Sequence, residues 1–408
     1  MARQRGAAIR KWAAALAFCL LLVGCANFTR LDPPPAQRTE GIAVLGVPNA
    51  RLWADADTEA WSREAALAVQ RRRTEESPPR RGALPPPADF LALSGGGDFG
   101  AFGAGLMVGW TAAGTRPEFQ VVTGVSAGAL IAPFAFLGPD YDPQLREVFT
   151  ETAQADVLVL GRIVTALLFG ESLADASPLY DLISRHADQR MLDAIAREYG
   201  RGRLLLIGTT NLDLRRPVVW NIGAIAASRH PQALELFRRI LLASASIPGA
   251  FPPVFVDVEL DGRRHQEMHV DGGAATQIFL YPPALDLPGD VRGWRGTRQR
   301  TVWVVRNGRF DVEPGAVNRS IFGIARRSVE TLLHFGGVAD VQRIQLTAQR
   351  DGIAFRLAAI GQDFQAPRPE PFDQGFMRAL FAYGEARGRS GRAWMDRPPT
   401  VGVIVNEE

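Results

Sequence analysis

The sequence is 408 residues long, with 47% hydrophobic and 22% charged residues and a formal net charge of +3. A chain of this length and composition can bury a full hydrophobic core. Residues 1–24 hold four basic and no acidic residues, so the rest carries a net charge of −1, which argues against nucleic-acid binding. The only cysteines, Cys19 and Cys25, exclude a disulfide framework and a cysteine-rich metal site.

The N-terminal residues have the order of a secretory signal. Four basic residues precede an apolar run over residues 12–23, which is short for a bilayer span. Leu22-Val23-Gly24-Cys25 then resembles a bacterial lipobox, which implies cleavage before Cys25 and acylation of that cysteine. Ala26, in place of an aspartate, implies sorting to the outer membrane. We expect residues 1–24 to be a lipoprotein signal peptide and the protein to be lipid-anchored in the bacterial cell envelope; an ordinary signal peptide or membrane anchor is the alternative.

Residues 25–85 are predicted to be a lipidated, proline-rich tether with one helix. Its two ends, near residues 33–35 and 78–87, are rich in proline, which disfavours packing. Good helix formers over residues 55–76 predict the helix. We place a single further domain over residues 86–408, where short buried strands alternate with helices. That alternation predicts a three-layer α/β/α fold.

A glycine-rich loop follows the first strand of this domain. Gly95, Gly97 and Gly100 satisfy the G-x-G-x-x-G fingerprint of dinucleotide-binding proteins. A nucleotide site also needs an acidic residue at the end of the second strand, but Glu118 stands at that strand's beginning. The loop is therefore not predicted to bind a nucleotide.

The second strand ends instead in Gly124-Val125-Ser126-Ala127-Gly128, a G-x-S-x-G sequence followed by an apolar helix. A sharp strand-to-helix turn would lift Ser126 out of the sheet, and the flanking glycines relieve crowding around it. The N-terminal dipole of the helix favours negative charge that develops there. Ser126 is predicted to be a nucleophile, and the glycine loop to offer backbone amides to the oxyanion of an acyl-transfer intermediate.

A serine nucleophile needs a base, most often a histidine held by a carboxylate. Only His334 follows the best candidate aspartate in the chain order of the α/β-hydrolases. We expect His334 to be a bystander in an amphipathic helix. The apolar residues of that helix are expected to face the core: Ile321, Ile324, Leu332 and Leu333.

Asp271 is the better candidate for the base. It follows an alternating strand and precedes Gly272 and Gly273, a tight turn that would project its carboxylate. Acting directly on Ser126, Asp271 would form a two-residue dyad. His269, two residues earlier, could share the same strand face and support the aspartate.

Together these motifs make the chain similar to the patatin-like phospholipases. The glycine loop at 95–100, the G-x-S-x-G at 124–128 and the D-G-G at 271–273 occur in the family's order, and residues 243–254 ("ASASIPGAFPPV") resemble its segment before the aspartate. The resemblance implies a mainly parallel central sheet and a Ser–Asp dyad of Ser126 and Asp271. It also implies an oxyanion hole of Gly95, Gly96 and Gly97. The supporting motif glycines are Gly100, Gly124, Gly128, Gly272 and Gly273.

The resemblance further implies a serine hydrolase that cleaves fatty acyl esters of membrane phospholipids or related lipids, through an acyl-enzyme and without metal or cofactor. Two positions depart from the family. Phe99 stands where a basic residue is frequent, and Ala274-Ala275 replaces an asparagine pair. Two alternatives stay open: a Ser-His-Asp esterase of the α/β-hydrolase type, and an outer-membrane lipoprotein scaffold without catalysis.

Overall fold

The computed structural model describes residues 30–39, 41–56, 58–75, 87–152, 157, 159–160, 174–285, 298–312 and 314–402. The predicted signal peptide and Cys25 lie outside these ranges. Within them, no helix combines the length and apolar character needed to cross a membrane.

The strands follow the chain in this order: β1 (Arg51–Trp53), β2 (Ala88–Leu93), β3 (Phe119–Val125), β4 (Val159–Leu160), β5 (Ala174–Asp175), β6 (Leu204–Asn211), β7 (Arg216–Asn221), β8 (Val254–Leu260), β9 (Arg263–Asp271), β10 (Arg300–Arg306) and β11 (Ala354–Ala359). The helices are α1 (Thr58–Glu75), α2 (Gly100–Ala112), α3 (Ala127–Leu137), α4 (Asp142–Thr150), α5 (Ser177–His186), α6 (Gln189–Gly200), α7 (Ile222–Ala227), α8 (Ala233–Ala245), α9 (Ile321–Asp351) and α10 (Gln374–Ser390).

Nine of these strands form the central sheet, in the order β1-β7-β6-β3-β2-β10-β11, with β9 joining β6 and β8 joining β9. Five neighbouring strands, β6, β3, β2, β10 and β11, run parallel to one another. The remaining strands, β7, β1 and the β8–β9 hairpin, are antiparallel additions. Helices cover both faces, and the structure confirms the predicted three-layer α/β/α fold with a mainly parallel sheet.

The parallel strands at the centre of the sheet, such as β6 and β10, are buried on both faces, which explains their continuous apolar sequences. In β6, Leu205 and Ile207 pack into the large core beneath α2, α3 and α10. Leu204 and Leu206 point to the opposite face, where Trp61 of α1 covers them. Further along that same face, α9 covers β10 and β11 through a third apolar cluster.

Part of the predicted tether packs onto the domain. Strand β1 pairs antiparallel with β7, and Ala43 bridges to Glu259 on β8. The indole of Trp61 on α1 donates a hydrogen bond to the Trp53 carbonyl and is buried. Residues 41–56 and 58–75 therefore add a strand to the sheet and a helix to one of its faces, because their few large apolar side chains pack on the outer strands. The proline-rich ends of this segment did not predict that packing.

Helix α9 also departs from the expectation. The amphipathic helix that contains His334 continues to Asp351, and it joins the core only from Gly337 onward. The side chains of Ile321, Ile324 and Leu332, expected to face the core, are exposed instead. The expectation was wrong because periodicity identifies an apolar face but not the surface that this face meets.

Helix α2, which leaves the glycine loop, packs closely against the C-terminal helix α10. Gly105 and Gly109 on α2 face Gly384 and Gly388 on α10, each pair spaced four residues apart. A Cβ atom at any of the four would overlap a backbone carbonyl oxygen of the opposite helix. Small residues at this spacing let two helix backbones approach, and here they fix the helix that carries the glycine loop.

We expect Gly109→Ala to lower the free energy of unfolding by about 1–3 kcal/mol, because the added methyl overlaps the Glu385 carbonyl. Gly336→Ala is the matched control, since a Cβ there has no neighbour within 4 Å and alanine favours the helix by up to about 1 kcal/mol. Urea unfolding followed by tryptophan fluorescence measures both. A Gly109→Ala variant as stable as the parent would contradict the close helix contact.

Candidate active site

The topology of the sheet brings the ends of β3 and β9 together. β7 occupies one edge of β6, while β3 and β9 share the other edge from opposite directions. β3 ends with Val125 opposite Gly208, and β9 ends with Asp271 opposite the next residue, Thr209. The residue after β3 is Ser126, so the two strand ends place it beside Asp271.

Ser126 lies in a strained turn between β3 and α3. Its backbone has φ 55° and ψ −125°, a left-handed conformation that costs a non-glycine residue on the order of 1–3 kcal/mol. The turn is possible because Gly128 lies against the carbonyl oxygens of Leu93 and Ser94, where a Cβ would overlap both. A strained serine in this position is typical of a nucleophile elbow.

Ser244, near the end of α8, holds this turn to the sheet. The Ser126 backbone N–H donates to Ser244 Oγ at 2.9 Å, and the Ser244 hydroxyl donates to the Gly208 carbonyl at 2.7 Å. The side chain of Ser244 is fully buried. One hydroxyl thus joins the elbow to the strand that also positions Asp271.

The carboxylate of Asp271 is buried, with 5% of the residue exposed. Its Oδ1 accepts the Gly273 backbone N–H at 2.7 Å. Burial raises the pKa of Asp271 to about 6, and the neighbouring Ser126 side chain and the Gly273 N–H oppose that rise only in part. A carboxylate with this pKa is ionised at neutral pH and is a stronger base than an exposed aspartate.

The glycine loop lies beside Ser126. A Cβ built on Gly95 would lie 3.1 Å from the Ser126 Cβ, so the loop backbone passes directly next to the hydroxyl-bearing residue. The Gly95 N–H, however, donates to the Gln277 carbonyl at 3.0 Å. In the described part of the chain, Gly96 and Gly97 are the predicted oxyanion donors whose N–H groups show no such hydrogen bond.

Buried polar groups on both sides fix the loop. The Asn307 side-chain amide donates to the Ser94 carbonyl at 2.7 Å and accepts the Gly103 N–H at 3.1 Å. On the far side, Asp98 is buried and receives a bidentate pair from Arg368, at 2.7 and 3.0 Å. A segment without side chains of its own is thereby held in one conformation.

An apolar cleft opens at Ser126. It encloses about 520 Å³ including its mouth, and its wall includes Gly97, Leu130, Phe251 and Met377. A second cavity, of about 350 Å³ including its mouth, lies next to it. Both cavities are lined by Leu130, Val148 and Leu182. The arrangement suits a long hydrocarbon chain bound next to the serine.

Neither histidine considered from the sequence lies between Ser126 and Asp271. The fully buried His269 has one ring nitrogen 3.0 Å from the Thr209 hydroxyl and the other 3.3 Å from the Glu267 carboxylate. The His334 ring lies close to the Phe310 backbone, and burial lowers its pKa. His269 is thus held by partners of its own on both ring nitrogens.

Among the predicted motif glycines, Gly100 begins α2 against Ala127, Gly124 lies against the Gly128 carbonyl, and Gly272 lies against the Gly208 carbonyl. Each therefore occupies a close contact near the site. Within the described ranges, no cluster of three or more His, Cys, Asp or Glu side chains is arranged to hold a metal ion.

Three residues of the site were missed from the sequence: Ser244, Gln277 and Asn307. Ser244 falls within the stretch at 243–254 that resembled the family, so that resemblance carried a signal for it. Asn307 and Gln277 act through contacts with residues far away in the chain, which no local pattern indicates.

A strained serine beside a buried carboxylate can act as a nucleophile with an adjacent base. Residues 91–282 match the model of the family described as patatin-like phospholipase. This match identifies residues 91–282 as a patatin-like phospholipase domain. A search of the curated proteins found no match to this chain.

Several solved structures are similar at low sequence identity. VipD from Legionella pneumophila is 11% identical, with a TM-score of 0.32, over 75% of this chain and 67% of that chain. The type III effector protein ExoU is 15% identical, with a TM-score of 0.30, over 76% and 54%. Human GIVD cytosolic phospholipase A2 is 10% identical, with a TM-score of 0.33, over 80% and 56%. This chain thus spans between about half and two thirds of their lengths.

The raised pKa of Asp271 predicts a pH-dependent stability. A carboxyl group whose folded-state pKa exceeds its unfolded value of 3.8 contributes stability that is full below about pH 4 and lost as the pH rises through about 6. Asp271→Asn escapes this loss. We expect its stability relative to the parent to rise between pH 4 and 7 by up to about 3 kcal/mol, since each pKa unit corresponds to about 1.4 kcal/mol.

Denaturant unfolding across that pH range measures the difference. Ser126→Ala is the matched control: it keeps the carboxylate but removes the neighbouring serine hydroxyl, which lowers the pKa of Asp271. Its stability should therefore fall with pH at least as far as that of the parent. A constant difference between Asp271→Asn and the parent would contradict the raised pKa.

Proposed function

We propose that this protein is a serine acyl hydrolase that cleaves fatty acyl esters of membrane phospholipids or related lipids through Ser126 and Asp271. The observation that carries the proposal is that the strand registers place Ser126, at the mouth of an apolar cleft, beside the buried Asp271 carboxylate. The match of residues 91–282 to the patatin-like phospholipase family supports a lipid as the substrate.

In the first step, Asp271 accepts the hydroxyl proton as Ser126 Oγ attacks the ester carbonyl carbon. The Gly273 N–H holds the carboxylate in place, at 2.7 Å from Oδ1. The tetrahedral intermediate collapses with departure of the alcohol, which takes the proton back from Asp271. An acyl-enzyme on Ser126 remains.

The amides of Gly96 and Gly97 are the proposed donors to the oxyanion, since both belong to the loop beside Ser126. Gly95 acts differently in this proposal. Its N–H bond to the Gln277 carbonyl anchors the loop, and its lack of a side chain leaves room beside the Ser126 Cβ. Preorganised amides of this kind stabilise the developing charge without reorientation.

In the second step, water attacks the acyl carbon while Asp271 accepts a proton from it. The bond between Ser126 Oγ and the acyl carbon then breaks, Asp271 returns the proton to Ser126 Oγ, and the fatty acid leaves. The apolar cleft supports this step by holding the acyl chain away from solvent. Leu130 and Val148 line both this cleft and the neighbouring cavity, so an acyl chain in the cleft would contact both side chains.

A fluorophosphonate probe tests the nucleophile and its base together. We expect the parent to be labelled, Ser126→Ala not at all, and Asp271→Asn about 10²–10⁴ times more slowly, the range attributed to general bases. The labelling rate of the parent should fall about tenfold per pH unit below pH 6, because protonated Asp271 cannot accept the serine proton.

His334→Ala is the discriminating control, since the Ser-His-Asp alternative requires that histidine. Full labelling of His334→Ala together with loss in Asp271→Asn would support the dyad. Equal labelling of the parent and Ser126→Ala would overturn the nucleophile, and an unlabelled but folded parent would favour the scaffold alternative.

We further propose that the chain is a lipoprotein, cleaved before Cys25 and anchored in the outer membrane by acyl chains on that cysteine. The lipobox-like Leu22-Val23-Gly24-Cys25 supports this. The mass of the N-terminal peptide from protein made in a Gram-negative host measures it. We expect a peptide that begins at Cys25 with added acyl mass, whereas a free Cys25 amine and thiol would contradict the proposal.

A further inference from the structure

The first half of helix α9 extends away from the domain with its apolar side chains uncovered. Ten large hydrophobic side chains are exposed in the described part of the chain, and six of them lie between Val317 and Phe335. Ile321 is 84% exposed and Leu332 72%. A concentration of this kind marks an interaction surface, because soluble proteins rarely leave such a patch uncovered.

The exposed side chains form one face of the helix. At 100° per residue, Ile321, Ile324, Val329, Leu332 and Phe335 fall within an arc of about 140°. The opposite side holds the charged residues Arg326, Arg327 and Glu330, with an Arg326–Glu330 ion pair of 2.8 Å. We call residues 321–335 the projecting helix.

The charge near this helix is positive. Residues 317–335 contain three arginines, Arg319, Arg326 and Arg327, and one acidic residue, Glu330, which gives a net charge of +2. An apolar face flanked by basic residues is complementary to a bilayer that contains anionic lipids. Two copies of this helix packed against each other would instead bring like charges together.

The base of the projecting helix touches the wall of the site. A Cβ on Gly337 would lie 3.4 Å from the Gln277 Cβ, and the carboxylate of Asp340 accepts the Gln277 N–H at 2.7 Å. The carbonyl of the same Gln277 accepts the Gly95 N–H. The base of the projecting helix is therefore linked to the glycine loop through Gln277.

We propose that the projecting helix binds the surface of a bilayer containing anionic lipids, with its apolar face in the interfacial region, and so brings the cleft to its lipid substrate. The role of the helix in delivering the cleft to a lipid substrate rests on the proposed function. Membrane binding by the helix, however, is measurable without catalysis.

The first test compares two substrates in the full-length chain. Leu332→Glu places a charge on the apolar face, and Thr331→Glu is the matched control, because the neighbouring Thr331 is exposed outside the apolar arc. The substrates are vesicles of phosphatidylethanolamine and phosphatidylglycerol, and the water-soluble ester p-nitrophenyl butyrate. We expect Leu332→Glu to hydrolyse the vesicle lipid about tenfold or more slowly, with butyrate hydrolysis unchanged, and Thr331→Glu to resemble the parent. Equal vesicle activity in both variants would overturn the proposal.

The second test reads the position of the helix directly. Leu332→Cys and, as control, Arg327→Cys carry an environment-sensitive NBD dye in a full-length Ser126→Ala chain whose Cys19 and Cys25 are replaced by serine. On adding the same vesicles, the dye at 332 should shift to the blue and be quenched by spin labels on the lipid acyl chains, whereas the dye at 327 should change little. No change at either position would overturn the proposal.

These tests separate the two proposals. If no substrate is hydrolysed by the parent but the dye at 332 enters the vesicles, the proposed function fails and the membrane surface stands. A parent that is dimeric by light scattering, and that becomes monomeric in Leu332→Glu without a dye shift on vesicles, would show a second copy as the occupant and overturn the bilayer.

Discussion

The site depends on one constraint, the burial of the Asp271 carboxylate at the end of β9. Taking this carboxylate out of water raises its pKa to about 6, which corresponds to roughly 3 kcal/mol against the ionised form. The fold holds it there from three directions. Its strand pairs with β6 at Thr209, its own N–H donates to the Ser246 carbonyl, and its Oδ1 accepts the Gly273 N–H. The cost of burial and the strength of the base therefore have the same physical origin.

Strand β6 is the common reference for both members of the pair. Gly208 lies opposite Val125, and its carbonyl accepts the Ser244 hydroxyl that in turn holds the Ser126 N–H. The next residue, Thr209, lies opposite Asp271. Because both registers are set on consecutive residues of one buried strand, the separation of serine and aspartate does not depend on a flexible loop.

The sequence predicts the motif-bearing turns well and the long-range contacts poorly. Ser126 and Asp271 were recognisable because each stands where a strand ends in a glycine-containing turn, a local pattern. The packing of residues 41–75 was not, because it depends on how β1 meets β7. Likewise, the periodicity of residues 321–335 identifies an amphipathic helix. Whether its apolar face is buried or exposed depends on which other elements pack against it, and the local sequence does not show this. The exposed Ile321 and Leu332 and the buried Gly337 show that α9 packs against the rest of the domain only from Gly337 onward.

The glycine loop explains why several distant residues belong to the site. A loop of Gly95, Gly96 and Gly97 has no side chains with which to fix itself, and glycine backbones lose more entropy on ordering than any other. Its rigidity must come from neighbours: Asn307 on one side, Gln277 beneath it, and the Asp98–Arg368 pair beyond its end. Gln277 is itself held by Asp340 of α9. Helix α9 therefore supports the glycine loop whose amides are proposed to bind the oxyanion. The same helix also carries the projecting segment, so the two features share one structural element.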